Sequence, residues 1–224
     1  MSAVDWEPIW LTLKLAAVTT SILLAIGIPM AWVLANAISR WRMPLHALLN
    51  MPLVLPPSVL GFYLLVAFSQ ENAFGRFLAQ GLHLPLAFTF GGLVVGSVIF
   101  SLPFMVNPLL AGFDAIPRHL TEAAYLLGKS RWTTLLRVAL PNMRPALLTG
   151  IALTFAHTMG EFGVVLMIGG KIPGTTKVAS IAIFDEVESL RFGSAHIHAL
   201  ILFAISFAIL LALFAINRKG LKAF

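Results

Sequence analysis

The sequence predicts an all-α, polytopic integral membrane protein with about five transmembrane helices, on three observations. The first is composition: of 224 residues, 59% are hydrophobic and only 11% are charged, whereas soluble domains carry about a quarter charged residues. A chain this apolar cannot cover itself with polar surface, so lipid must be its main solvent. The second is a set of apolar segments long enough to cross a bilayer core, which takes about 20 residues for about 30 Å. The third is a one-sided distribution of basic residues among the intervening loops. Cysteine is absent, which excludes disulfides, thiolate metal sites and a cysteine nucleophile. A net charge of +6 then reads as loop charge on the inner side of a membrane, with lipid and not nucleic acid as the partner.

The first apolar segment runs from about Ile9 to Ile38, with Lys14 near its outer end, where a long stem lets the ammonium snorkel to water. The second spans about Ala47 to Phe68, and the third about Leu86 to Phe113. The fourth covers about Pro145 to Ile168, and the fifth about Ala199 to Ile216. Polar stretches separate them at about 114–144 and about 169–198, the latter with an amphipathic piece near Val178 to Leu190. No internal repeat or low-complexity tract interrupts the chain, so residues 1–224 read as a single transmembrane domain. The N-terminal stretch MSAVDWEPIW is acidic and lacks the basic start of a cleavable signal peptide. With the N-terminus outside, the inner segments hold Arg40, Arg42, Arg118, Lys129, Arg131, Arg137, Arg144, Arg218, Lys219 and Lys222. The outer segments then hold only Arg76, Lys171, Lys177 and Arg191. This asymmetry puts the C-terminus and the 114–144 loop in the cytoplasm.

That loop contains TEAAYLLGKSRW, whose Gly-Lys-Ser has the spacing of a phosphate-binding loop. Such a loop needs a preceding buried strand and glycines that let backbone N–H groups close around phosphate. Here a membrane span precedes, and Glu-Ala-Ala-Tyr-Leu-Leu are helix formers with no glycine among them. Nucleotide binding by this chain is therefore rejected. A helical reading accounts for more residues. Pro117 suits a helix's first turn, and Gly128 suits the position just past its end. Leu120, Ala123, Ala124 and Leu127 share one apolar face. Ser130 then caps a second helix, Arg131 to Val138, expected to end before Pro141. Amphipathicity alone fits an interfacial helix on the headgroups equally well.

Glu122-Ala123-Ala124, three residues, Gly128, nine residues, then Val138-x-Leu140-Pro141 resembles the cytoplasmic loop of permease subunits of bacterial binding-protein-dependent ABC importers, with Val138 for the usual Ile. The resemblance implies the type I importer permease fold. It makes about 114–144 a coupling loop whose helix docks on a separate ATPase, with Glu122, Ala123, Ala124, Gly128, Leu140 and Pro141 transmitting movement. Along most of the chain, NMPLVLPPSVLGFYLL, HTMGEFGVVLMIGGKIPGTT and SIAIFDEVE resemble the molybdate permeases. Sulfate permeases share the Gly-Glu-Phe-Gly element but fit the Ile172-Pro173-Gly174 context less well. Implied partners are a second copy of the chain, two ATP-binding cassette subunits that hold ATP-Mg on the cytoplasmic side, and a periplasmic or extracellular oxyanion-binding protein. No cofactor or metal is expected on this chain, and the implied place is the bacterial inner membrane.

Candidate pathway residues come from polar groups and breaks at membrane depth. Gly150, Thr154, His157 and Glu161 fall at i, i+4, i+7 and i+11, with Thr158 adjacent, which makes one helical stripe. An ionisable residue at that depth is a functional candidate, yet a bare carboxylate repels a dianion. Glu161 is expected to organise the stripe, pairing with His157 or with a facing span; a hydrogen bond with no transport role is the other reading. Gly160 and Gly163 allow close packing or a local break. Pro56 and Pro57, with Ser58, and also Pro52, Pro103 and Pro108, are expected to interrupt their helices and shape a passage or gate, or else only packing. His83, His196 and His198 read as solvated or interfacial. No nucleophile–base pair or metal-ligand spacing is visible, so the chain reads as a transport subunit and not an enzyme. Rival readings are a sulfate or thiosulfate importer permease and an ATP-independent channel or carrier.

Overall fold

Helices form along the apolar segments, and the two sharp bends fall at Pro56–Pro57 and at Glu161–Phe162. The computed structural model describes residues 5–37 and 39–221; Ile38, the expected end of the first span, and Lys222 of the inner basic set lie outside them. In chain order the helices are α1 (Glu7–Ala35), α2 (Ser39–Val54), α3 (Pro57–Phe68) and α4 (Ala73–Arg76), which continues into a π turn over Phe77–Gly81. Then come α5 (Phe90–Asp114), α6 (Arg118–Leu126), α7 (Arg131–Thr134), a second π turn over Leu135–Ala139, and α8 (Leu140–Asn142). The last are α9 (Arg144–Gly160), α10 (Gly163–Gly169), α11 (Ala179–Glu188) and α12 (Phe192–Leu221). No strand occurs among the described residues.

Helices α1, α5 and α12 are long and apolar enough to cross a membrane singly. Two bent pairs are long and apolar enough when taken together, α2 with α3 at 105° and α9 with α10 at 58°, each a broken span or a re-entrant loop. The core lies between α1, α5 and α9, where Leu23, Met105, Val106 and Leu109 are fully buried. Glycine permits this approach, because a Cβ on Gly27 would stand 2.9 Å from Met105 Cγ and one on Gly150 would stand 3.1 Å from Met105 Sδ. Helix α12 packs along α9 and α11 and leaves Phe203, Phe207 and Leu211 exposed, as suits a lipid-facing element.

At one end of the molecule the turn after α1, the start of α2, the end of α5 and the α6–α8 segment gather. Trp32 and Trp132 rings lie 6.0 Å apart there, and Arg42 pairs with Asp114 at 2.5 Å. At the other end Thr12 Oγ1 accepts from the Ala179 N–H at 2.8 Å, and the Phe88 N–H donates to the Ile168 carbonyl at 2.9 Å.

Several expectations need correction. Pro103 and Pro108 do not interrupt their span, since α5 runs through both; each proline removes one bond while the flanking ladder holds the coil. Pro52 likewise sits inside α2, and the break falls at Pro56–Pro57. The helix from Arg131 does not stop before Pro141. Its coil widens into the π turn over Leu135–Ala139 and carries Pro141 in the first turn of α8. His198 is buried and not solvated, its ring nitrogens 3.0 Å from the Ser194 carbonyl and 3.2 Å from the Asp5 carbonyl.

Candidate functional site

The Gly-Lys-Ser of the 114–144 segment is helix punctuation. Gly128 has φ +72°, its N–H donates to the Tyr125 carbonyl at 2.9 Å, and the Lys129 N–H donates to the Ala124 carbonyl at 3.0 Å. These are the two bonds of a Schellman ending. Ser130 Oγ then accepts from the Thr133 N–H at 3.2 Å and caps α7. Pro117 stands at the N-cap of α6.

The expected apolar face of α6 is divided by the packing. Ala124 is buried and Leu120 half-buried against the α7–π segment, while Ala123 is exposed. Leu126 and Leu127 are 89% and 76% exposed. Glu122, Ala123 and the two leucines therefore form an outward knob on a short helix seated by Ala124. At the far end of the 114–144 segment, Leu140 of α8 packs against the core cluster that contains Met105, Leu109 and Met143, which ties that end of the segment to the spans. Leu126 is a candidate that helical periodicity passed over, because it lies off the Leu120–Leu127 face.

The second candidate region is where the two bent pairs meet. A Cβ on Gly163 would stand 2.8 Å from Pro57 Cβ and 3.2 Å from the Ser58 nitrogen. One on Gly61 would stand 2.7 Å from Met167 Cβ. The Pro56–Pro57 break and the Glu161–Phe162 break thus abut, with α10 against α3. Gly160 takes no part, since nothing lies within 4 Å of the Cβ position there.

The polar stripe ends sooner than its spacing implied. Helix α9 stops at Gly160, and Glu161 at its C-cap is extended, with φ −65° and ψ 131°. Its peptide carbonyl accepts from Ser180 Oγ at 2.7 Å. The expected pairing with His157 is absent. Ser101 Oγ lies 2.9 Å from His157 Nδ1 and 3.2 Å from Thr158 Oγ1. The His157 ring stacks on Phe104 at 3.9 Å and meets Phe100 at 4.8 Å. Glu161 is 4% exposed, with the Ser97 hydroxyl of α5 beside its carboxylate. The buried Thr154 hydroxyl has no hydrogen-bond partner among the described residues. A run of hydroxyls from α5 and α9, with one carboxyl at the break, is what this region offers; no group of three or more metal-ligating side chains occurs among the described residues.

A family model described as "Binding-protein-dependent transport system inner membrane component" matches residues 24–220. The chain belongs to that family. As a transport component it is a multi-pass membrane protein and not an enzyme. It is 47% identical over 219 residues to the molybdenum transport system permease protein ModB of Azotobacter vinelandii, covering 97% of this chain and 96% of the relative. It is 36% identical over 208 residues to the sulfate transport system permease protein CysT of Salmonella typhimurium, covering 91% of this chain and 72% of that one. In fold it is similar to the crystal structure of a bacterial ABC transporter involved in the import of the acidic polysaccharide alginate, with TM-score 0.80, 17% identity, and coverage of 98% of this chain and 80% of that one. That similarity carries the fold alone. Within this transport component, the sequence reading also missed an amide pair between spans, Asn107 Nδ2 donating to Asn50 Oδ1 at 2.7 Å. The signal was present as two asparagines inside apolar segments.

Proposed function

We propose that this chain is the permease subunit of an ATP-driven importer that carries molybdate into the bacterial cytoplasm. The observation that supports this reading best is 47% identity to a molybdenum permease across nearly the whole of both chains. In this reading two copies enclose the passage, the N-terminus is outside, and two ATP-binding cassette subunits receive the α6 knob at the cytoplasmic face. Glu122, Ala123 and Ala124 form the docking helix, Gly128 ends it, and Leu140 and Pro141 join it to α9. Closure of the ATPase pair moves the knob, and packing at Leu140 passes that movement to the spans. The abutting breaks at Pro56, Pro57, Ser58 and Gly163 serve as the gate, supported by Thr154, His157, Thr158 and Glu161 behind it. ATP-Mg belongs to the partner subunits, and a periplasmic or extracellular binding protein delivers the anion.

A sulfate importer is the second reading, favoured by the 36% identity to sulfate permeases. Co-expressed with its ATPase and reconstituted with its binding protein, the complex should take up labelled molybdate only with ATP. Tungstate, with the same shape and charge, should compete, and equimolar sulfate should not. Strong inhibition by equimolar sulfate would overturn the molybdate assignment, and uptake by the chain without ATP would overturn the importer reading.

A further inference from the structure

The two grooves beside α2 differ in kind. Toward α1 the groove is apolar, lined by Met30, Val33, Leu45 and Leu48, with a volume of about 440 Å³. Toward α5 it is mixed, about 580 Å³, with Arg42, His46, Asn107 and Asp114 set among Met43, Leu110 and Ala111 in its lining. Arg42, His46 and Asn50 recur every fourth residue and so share one face of α2. Asn107 and Asp114, seven apart on α5, answer them. Arg42 meets Asp114 at the groove's mouth, and Asn107 meets Asn50 further in. From Arg42 to Asn50 the ladder runs about 12 Å along the axis of α2 at 1.5 Å per residue.

Amides and an imidazole are costly against lipid, so a face that carries them must see protein or water. The internal bonds do not use them up. Asn50 gives one N–H to the His46 carbonyl at 2.8 Å and accepts from Asn107. Each amide therefore keeps a second N–H, and the Asn107 carbonyl oxygen is buried without a partner. An unsatisfied buried acceptor costs about 1–3 kcal/mol, which packing alone would select against.

We infer that the α2–α5 groove is the inner half of the translocation pathway, in which His46, Asn50 and Asn107 supply N–H donors to a tetrahedral oxyanion moving toward the coupling-loop end. The inference rests on the importer reading above. Neutral amides suit such a passage, because they replace part of an anion's hydration without the deep well that a set of free cations would make. The strong cation in the lining of this groove, Arg42, is held by Asp114.

The absence of native cysteine makes the test direct. In the complex of this chain with its ATPase, in membranes open at the coupling-loop side, His46→Cys, Asn50→Cys, Asn107→Cys and Leu48→Cys are treated with an anionic thiosulfonate reagent. Labelling is read on this chain after electrophoresis. The three groove positions should react at least tenfold faster than Leu48→Cys on the apolar side, and excess molybdate should slow them. Equal, slow labelling of Asn50→Cys and Leu48→Cys would overturn the inference, whatever solute the complex carries. In proteoliposomes, Asn50→Asp should cut ATP-driven uptake at least tenfold. Wild-type uptake through Asn50→Asp would overturn it as well. A wrong substrate assignment appears separately, as failure of the unaltered complex to take up molybdate.

Discussion

Gly128 and Leu190 hold the same backbone conformation with different side chains, and they bracket what a residue can cost here. Both sit just past a helix end at positive φ, +72° and +59°. Both helices close with the same pair of bonds: for α11, the Leu190 N–H to the Val187 carbonyl at 3.0 Å and the Arg191 N–H to the Glu186 carbonyl at 2.9 Å. A Cβ in the left-handed region costs about 1–2 kcal/mol. Gly128→Ala finds nothing within 4 Å of its Cβ, so only backbone strain opposes it. Amide exchange over α6 should quicken by roughly fivefold, the equivalent of about 1 kcal/mol. Leu190→Gly should move in the opposite direction and slow exchange over the last turn of α11. Unchanged exchange in both variants would show that these endings do not limit local opening. The Gly128 ending was legible in the sequence, because glycine after a run of helix formers is a direct backbone signal. The Leu190 ending was not, since leucine carries no such mark.

At the scale of elements, α6 and α11 show how short helices are held at opposite ends of the molecule. Helix α6 has one buried anchor, Ala124, and an exposed apolar knob. Ala123→Trp should therefore leave this chain folded and inserted but sharply reduce co-purification of the ATPase. Ala124→Trp should instead disturb the α7–π segment and lower yield of the chain itself. Equal recovery of the ATPase with Ala123→Trp would remove α6 as the docking surface. Helix α11 is clamped by charge. Lys177 pairs with Asp185 at 2.5 Å, and Lys171 reaches both Asp185 and Glu188. The Lys177 ammonium holds the Asp185 carboxyl below its ordinary range, and the Glu188 hydrogen bond pushes the Lys171 ammonium up. Asp185 thus favours the clamp above its unfolded value of about 3.9, and that contribution is lost as pH falls through the lower folded one. Lys171 contributes below about 10.4 and loses its part as pH rises through its raised folded value. Proteolysis of the 170–178 loop should then be flat between about pH 5 and 9 and rise outside that window. A step near neutrality would refute the clamp.

For the whole molecule, the apolar helical segments and the place of the amphipathic ones were legible because apolar length and periodicity are local properties of the sequence. The meeting of the two breaks was not, since Pro57 and Gly163 are brought together only by packing of α3 on α10. The same limit explains the Glu161 stripe: a spacing rule assumes one continuous helix, and α9 ends one residue before the carboxylate. That geometry makes the gate reading testable with two glycines three residues apart. Gly160→Ala adds a methyl where nothing lies within 4 Å, so uptake and Tm should stay near wild type. Gly163→Ala drives a methyl to 2.8 Å from Pro57 Cβ and 3.2 Å from the Ser58 backbone nitrogen, and neither atom belongs to a flexible side-chain end. Overpacking of this kind typically costs about 1–3 kcal/mol. If the α3–α10 junction is the gate, the strain falls between two elements that slide past each other, so uptake should drop more than stability does. Measured on assembled complex, Gly163→Ala should lose most ATP-driven uptake while retaining insertion. Pro57→Ala, which keeps Cβ and frees the backbone, should not restore it. Wild-type uptake by Gly163→Ala would mean that the junction is static packing, and the gate would have to be sought elsewhere along the spans.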